Sequence, residues 1–559
     1  MIYVAIAFIL LVVLVCKLYM DEKNLKKKIE VQLRENWGQV PIQEYSYEKM
    51  DSISKYYQSK KEASFDVDDI TWNDLDMDRI FMLINHTESS IGEEYLYSLL
   101  RKLQFSEDKL VERNRLITFF TEHEKERFEV LKKLRMIGKL KNLSFFEYVN
   151  RADSLEVHKP YFHFICMLLI PLSIASIFIP GLESYSLFAI AGALIFNITT
   201  YYRCKAAIEI YFNVFSYLLR SLEFMEELSK LEIPELDSYM KELKEQVKQF
   251  KRFRRGAYLV VSKKVSGSLQ DILLDYVRML FHVDLIKFDN MVKELHDKKE
   301  NLNQLFEIVG LLDSMLGVSS FRKLFQDEYC LPSLKKDEKI YYEAEDLYHP
   351  FIINPVKNSL KTERSILLTG SNASGKSTFI KTMAINSILA QTIYTSLSRS
   401  FQSNYFKIYS SMALRDDIMA QESYYIVEIK SLKRIYDESG DNVPILCFVD
   451  EVLRGTNTAE RIAASSQILK NLSYRNALCV AATHDIELTY ILEKYFNNYH
   501  FQEKIEENKV LFDYLIHTGR ATSRNAIKLL GMIGYSETII EEATKEVDHF
   551  LNCNSWNTL

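Results

Sequence analysis

A chain of 559 residues is too long for one hydrophobic core, so several domains are expected. A net charge of −6 excludes a global polycation, and any nucleic-acid contact must come from a local patch. The seven cysteines are scattered and never spaced Cys-x-x-Cys, which argues against a disulfide framework or a zinc site and fits a reducing compartment.

From Ile2 to Cys16 the chain carries no charge, and Lys17 can snorkel, so a span over 1–20 is expected. A cleaved signal peptide is the rival reading, but it wants basic residues before the apolar run, whereas here Lys17, Lys23 and Lys26 follow it. This favours an uncleaved anchor followed by a juxtamembrane linker over 21–64. Residues 65–157 then repeat apolar positions at three and four, as in "DRIFMLINHTESSIGEEYLYSLLRKL", which predicts amphipathic helices.

Tyr161–Ile179 and Ser184–Tyr202 are uncharged runs of nearly the ~20 residues a helix needs to cross a bilayer. Pro180, Gly181 and Glu183 lie between them, so a transmembrane hairpin over 158–203 is expected, with a buried soluble hairpin as the bland alternative. Lys159 before the pair and Arg203 and Lys205 after it place 21–158 and 204–559 on the cytoplasmic side. Residues 204–335 return to long amphipathic helices. Within them, "KQFKRFRRGAYLVVSKK" (248–264) holds seven basic residues and no acidic one, with Phe250, Phe253 and Tyr258 interleaved. Lys248, Lys251, Arg252, Arg254 and Arg255 are therefore the candidate contacts to a phosphate backbone or to lipid headgroups; a solvated helix face is the alternative.

The last region, 336–559, carries the chemistry. In "ILLTGSNASGKSTFIKT" an apolar strand-like run leads into Gly370, Ser371, Asn372, Ala373, Ser374, Gly375, Lys376, Ser377 and Thr378, and then into a helical run. This is G-x-x-x-x-G-K-[ST] in the strand–loop–helix setting it requires. Glycines let backbone N–H groups wrap phosphates, the helix N-terminus adds positive potential, Lys376 faces the β/γ oxygens, and Ser377 offers a hydroxyl to Mg²⁺. "PILCFVDE" is a second buried strand, ending in Asp450, expected to hold Mg²⁺ through water, and Glu451, expected to activate the attacking water. "ALCVAATHD" is a third, with His484 beyond its end as a γ-phosphate sensor. The expected fold is thus multidomain: an α/β P-loop ATPase and an all-α helical core with three transmembrane helices.

"TGSNASGKST", "VDEVLRGTNTAER" and "AATHDIEL" resemble the ATPase domain of the MutS family. "HPFIINP" is similar to the family's adenine-side segment, where an aromatic stacks on the base, and Phe351 takes that place. "LRDDIMAQESYYIVEI" resembles the signature stretch and keeps Asp416, Asp417, Ser423 and Glu428. "HTGRATSRNAIKLLGMIGYSETIIEEA" resembles the closing segment that packs one subunit on another. Ser371, Ala373 and Ser374 stand where Pro, Met and Gly are usual, and Gln421, Glu422 and Tyr424 where Gly, Arg and Thr are usual. The resemblance implies ATP and Mg²⁺ as cofactors, a homodimer in which Ser423 reaches the γ-phosphate of the second subunit, C-terminal dimerisation helices, and DNA as ligand.

The family's mismatch reader, a Phe-x-Glu wedge in a domain before the core, has no room within 21–64. Phe145–Glu147 and Phe501–Glu503 match it by letter only. The combined expectation is a membrane-anchored, dimeric ATPase that opens and closes a helical clamp on DNA without reading mismatches. A nucleotide-gated membrane scaffold acting on a protein partner is the alternative. A transporter subunit of the ABC type fits poorly, since its Leu-Ser-Gly-Gly-Gln signature is absent.

Overall fold

The computed structural model describes the chain except residues 1–16, 18–19, 21–22, 25–26, 62–65, 152–160, 258–259, 261–268, 327, 338, 372–373, 413–423, 441, 454–455, 507–508, 522–526, 528–529, 531–532, 554 and 559; side chains at 269–274, 424–425, 504–506, 509–510 and 551 are also outside the description. The anchor expected over 1–20 falls almost wholly outside the described residues. The chain divides into two units. One comprises residues 1–62, 81–99 and 112–325; the other 63–80, 100–111 and 326–559.

The first unit is helical. Its centre is the helix Lys299–Leu324, packed along one side by Ser90–Arg101, here α1. Gly92 and Gly310 permit that approach: a Cβ on Gly310 would lie 2.6 Å from Cβ and Cγ of Tyr95. Asp313 crosses the same contact, accepting from the backbone N–H groups of Glu88 and Ser89 (both 2.9 Å) and from the Ser89 hydroxyl (2.6 Å). Two donors that precede the first turn of α1 are thereby satisfied inside the core. Phe306 packs on Tyr56 and Phe146, with ring centroids 4.4 and 5.4 Å apart.

The hairpin region forms two helices. α2 is Tyr161–Ala175, extended by a 3₁₀ turn at Ser176–Phe178; α3 is Glu183–Leu228, 46 residues without a break. At ~1.5 Å per residue α3 is about 69 Å long. The domain boundary expected at 203/204 is therefore a change of surroundings within one helix. No Gly or Pro lies between Arg203 and Leu228 to stop it. Its first half exposes Leu187, Phe188 and Ile195, whereas its second half buries Val214, Phe215, Leu218, Leu222 and Met225. α4 (Leu269–Phe281) and α5 (Val283–Asp297) pack beside the hairpin, and Lys299–Leu324 is numbered α6. Among the described residues, α2 with its 3₁₀ extension, α3 and α6 are long and apolar enough to cross a membrane by length and composition.

The second unit is built on two sheets. The smaller has the order β1 (Ser333–Lys335), β5 (Ser400–Asn404), β2 (Tyr342–Leu347), β3 (Asn358–Thr362). The larger runs β10 (Lys509–Thr518), β9 (Asn497–Glu506), β4 (Ile366–Thr369), β8 (Ala477–Ala482), β7 (Ile445–Asp450), β6 (Lys407–Ser411). All its neighbours are parallel except the β9–β10 hairpin. Apart from Thr369 and Asp450 at their carboxyl ends, β4, β7 and β8 are apolar, because both faces are covered, as parallel sheets require. Helices α7 (Lys376–Ile393), α8 (Tyr424–Glu438), α9 (Thr458–Ser473), α10 (Ile486–Ile491) and α11 (Glu537–Cys553) belong to the same unit.

Residues 66–80 and 100–111, expected in the helical core, belong to this sheet unit instead. Their polar groups explain it: Asp74 accepts from the Ser410 hydroxyl (2.6 Å) and the Met412 N–H (2.9 Å) at the edge strand β6, and Gln104 exchanges hydrogen bonds with Gln391. Spacing of apolar residues reports a helix, not the partner it packs on.

Candidate functional site

Three strands deliver the site. β4, β8 and β7 are adjacent, and each is followed at its carboxyl end by a loop carrying one of the expected groups. The crevice beyond the carboxyl ends of parallel strands is where such sheets bind ligands.

After β4 the chain turns at Gly370 (φ 142°) and enters α7 at Gly375 (φ 107°). Both conformations favour glycine. Space is short as well: a Cβ on Gly370 would meet the Phe501 carbonyl at 2.8 Å. Lys376 is buried and folds its ammonium back onto the loop, donating to the carbonyls of Gly370 and Ser371, each at 2.7 Å. The Ser374 hydroxyl, in place of a glycine, donates to the Ser371 carbonyl at 2.8 Å, so the side chain tightens the loop. The Ser371 hydroxyl donates to Glu503. Thr378 lies on the first turn of α7; Asn372 and Ala373 lie outside the described residues.

Ser377 and Asp450 come together across this crevice, with Oγ donating to Oδ2 at 2.5 Å. Glu451 and His484 also meet, Oε1 to Nε2, at 3.0 Å. Glu451 sits at φ 57°, a conformation unusual for a glutamate, and its N–H is tied to the Ala482 carbonyl at 3.0 Å. Leu453, at φ 60°, donates its N–H to Glu428 at 2.5 Å. Strain of this kind is kept where surrounding contacts over-determine it, and two such residues follow the acidic strand end. Asp485 anchors the chain after His484 through a two-point ion pair with Arg461 (2.9 and 2.6 Å). Arg454, Gly455 and Ser423 lie outside the described residues.

A cavity of about 610 Å³ opens beside the loop, walled by His349, Ile352, Gly375, Thr378, Phe379, Phe501 and Tyr514 among others. Phe351, expected as the stacking aromatic, does not line it. Its ring lies 4.9 Å from the Arg79 guanidinium, and the neighbouring Ile352 and Ile353, both exposed, border the cavity instead. Burial, with the nearby charges of Lys381 and Arg79, pushes His349 down to about 4, so it is neutral near pH 7. Tyr514 and Phe501 were not foreseen as walls. Tyr514 projects from an irregularity in the β9–β10 register, at φ 54°, and Asn358 pins that bulge by donating to the Tyr514 carbonyl (2.9 Å) and accepting from the Ile516 N–H (2.7 Å). The Asn358 partnership is tertiary and has no local signature.

The basic stretch is reduced by the fold. Phe250 and Phe253, expected to be interleaved at the surface, are fully buried against Phe215 and one another. They are apolar anchors of a short helical turn, which corrects the expectation that they flank a ligand. Arg254 is held by Glu226. Lys248, Lys251, Arg252 and Arg255 are exposed. Tyr258 lies outside the described residues.

Residues 366–551 match the family model for MutS domain V. The DNA mismatch repair protein MutS of Pseudothermotoga lettingae is 30% identical over 279 residues, covering 47% of this chain and 33% of that protein. Those of Natronomonas pharaonis and Leptospira interrogans are each 27% identical, over 267 and 293 residues, covering 46% and 50% of this chain and 30% and 34% of those proteins. The chain thus spans about a third of the length of the curated relatives it matches.

Proposed function

We propose, from the premise that this chain belongs to the MutS family through its ATPase domain, that it is a membrane-anchored, dimeric ATPase that opens and closes a helical clamp, with the ATPase on the cytoplasmic side. The observation that carries the ATPase reading is the meeting of Ser377 with Asp450 and of Glu451 with His484 at the carboxyl ends of adjacent strands. Mg²⁺ suits the first pair, since a hydroxyl and a carboxylate side by side are the hard oxygen donors it takes. When bound, the ion neutralises charge on the β- and γ-phosphate oxygens.

The chain's own groups do the rest. Lys376 exchanges its two loop carbonyls for phosphate oxygens. Glu451 accepts the proton of the water that attacks the γ-phosphorus, as the bond to the ADP oxygen breaks. His484 holds the Glu451 carboxylate in place. Ser423 of one subunit completes the site of the second, as the family resemblance implies. Lys376→Ala should lose ATP binding. Glu451→Ala should still bind ATP and turn it over at least ~100-fold more slowly, the scale for losing a positioned base. Equal turnover by Glu451→Ala and wild type would refute the assignment.

In this reading DNA is held through its phosphates without mismatch reading, by Lys248, Lys251, Arg252, Arg254 and Arg255. The buried phenylalanines and the Arg254–Glu226 pair favour the second reading, a nucleotide-gated scaffold that acts on a protein partner. A salt titration of DNA binding separates the two. The clamp reading expects a log–log slope of ~0.9 for each neutralised phosphate, and no binding at low salt leaves the scaffold.

A further inference from the structure

A base can act only if the backbone that carries it is held, and around Glu451 the held conformation is an unfavourable one. Directly after β7, Glu451 (φ 57°) and Leu453 (φ 60°) both stand in the left-handed region. Glycine would accept it, and a short polar side chain could bond its own backbone there, but leucine has neither resource. Contacts from elsewhere must impose the conformation. Polar contacts from three neighbouring elements reach the backbone of this turn. The Glu451 N–H donates to the carbonyl of Ala482, the last residue of β8, at 3.0 Å. The Val452 carbonyl accepts from the Ser465 hydroxyl on α9 at 3.3 Å. The Leu453 N–H donates to Oε1 of Glu428 on α8 at 2.5 Å.

The last of these is the shortest, and it is made by a buried side chain. A carboxyl is costly to bury and is kept where its hydrogen bonds are needed. Apolar packing brings the same two elements together: Val452 and Leu453 share one buried cluster with Leu432 and Ile435 of α8. Such packing has no direction, whereas a hydrogen bond to a backbone N–H fixes the orientation of the peptide that carries it. Glu428 belongs to the stretch that resembles the family signature, yet the hydrolysis step does not use it.

We propose that Glu428 is a positioning residue for the Glu451 base: by holding the Leu453 N–H it sets the turn from which the Glu451 carboxylate meets His484 and the attacking water, a role that rests on the ATPase reading. Without that acceptor the turn relaxes toward negative φ, since the left-handed conformation is disfavoured for leucine. Glu451 lies just upstream in the same turn and moves with it. Gly370, Lys376 and the cavity beside them make no contact with Glu428 through this bond and stay as they are. The loss therefore falls on the chemical step and leaves ATP binding alone.

The test is steady-state ATP hydrolysis with Mg²⁺ by the full chain in detergent, with ATP affinity and thermal midpoint measured on the same samples. Two substitutions separate reach from chemistry. Glu428→Gln keeps a carbonyl oxygen at the length of the original side chain, and so keeps an acceptor for Leu453. Glu428→Asp keeps the carboxyl but withdraws it by one methylene. Glu428→Asp should lower kcat by roughly tenfold to a hundredfold, the scale of misplacing a reacting group by about 1 Å. Its KM for ATP should stay at the wild-type value, the mark of an interaction that acts in the transition state. Glu428→Gln should recover most of the lost kcat. Added to Glu451→Ala, the Glu428→Asp change should cost nothing further, because no base is left to place. Arg434→Gln is the structural control: it breaks the ion pair of the same helix with Asp68 (2.7 Å) and the bond to the Ser410 carbonyl (2.5 Å), so it should lower the thermal midpoint and leave kcat unchanged. An unchanged kcat in Glu428→Asp, a slow Gln variant beside an active Asp variant, or losses that multiply with Glu451→Ala would overturn the positioning role. If Glu451→Ala is slow and Glu428→Asp is not, only that role fails. If Glu451→Ala itself turns over like wild type, the ATPase assignment fails and the role falls with it.

Discussion

The helix Lys299–Leu324 and the hairpin helices of 161–202 belong to one unit and satisfy the same length and composition criteria for crossing a membrane. Their surroundings are opposite. In the apolar window of Lys299–Leu324, 83% of residues are buried inside the protein; in each hairpin window the share is 17%. Apolar length alone therefore does not separate a core helix from a span. What separates them is how far the rest of the protein covers them. Asp313, Ser320 and Arg322 in the core helix each have a protein partner: the Glu88 and Ser89 N–H groups, His86 Nδ1 with the Gly38 N–H, and Asn114. The outward residues of the hairpin, Phe164, Leu168, Leu172, Leu187 and Phe188, need only an apolar solvent. A helix whose apolar window is buried inside the protein and one whose window is exposed thus share the same apolar length.

The largest break in this comparison comes from the same charge placed in both helices. Leu312 is fully buried in Lys299–Leu324, and Leu312→Lys would leave an unpaired ammonium among apolar groups. That costs several kcal/mol, enough to unfold most domains, and should appear as loss of soluble, ATP-binding protein. Ile195 lies near the middle of the second hairpin run and is 65% exposed. Ile195→Lys should leave thermal stability in detergent within ~0.5 kcal/mol of wild type. In a bilayer it should oppose insertion by about 2.5–3.5 kcal/mol, read as an increased fraction released by alkaline wash. If Ile195→Lys instead destabilises the detergent-solubilised protein as strongly as Leu312→Lys, the hairpin is part of a soluble core, and the membrane reading falls.

How much of this was legible depended on whether the signal was local. Gly370, Gly375, Lys376 and Ser377 sit within one turn of chain, and Asp450, Glu451 and His484 announce themselves by ending buried strands, so their types and spacing are enough to nominate them. The cavity walls are different. Phe501 and Tyr514 lie far along the chain from the loop and face it only because β9 pairs with β4 and Asn358 holds the bulge in β10. Phe351, named from a motif, lies against Arg79 and is not among the cavity walls. In the helical unit, periodicity found the helices but placed a boundary at 203, where only the environment changes, and read Phe250 and Phe253 as surface aromatics because charge surrounds them in sequence. An i to i+3 pattern of basic and aromatic residues describes a half-buried helix equally well.

The smallest and sharpest contrast uses two glycines. Gly310 lies where Lys299–Leu324 meets α1, and a methyl group there would fall 2.6 Å from Cβ and Cγ of Tyr95. Neither atom is the free end of a side chain; both are fixed close to the backbone of α1, so one helix must shift. Overpacking of this kind costs typically 1–3 kcal/mol. Gly192, in the first half of α3, has nothing within 4 Å of the same added group. There Ala replaces Gly in a helix interior without a clash, which favours the helix by roughly 0.5–1 kcal/mol. Thermal or denaturant midpoints of the two variants in one detergent should therefore move in opposite directions, down for Gly310→Ala and unchanged or up for Gly192→Ala. A second copy of the hairpin packed against Gly192 would reverse the second result, since small residues at such sites let helices approach. A loss of stability in Gly192→Ala that grows with protein concentration would then mark that face as a helix–helix contact rather than a lipid-facing one.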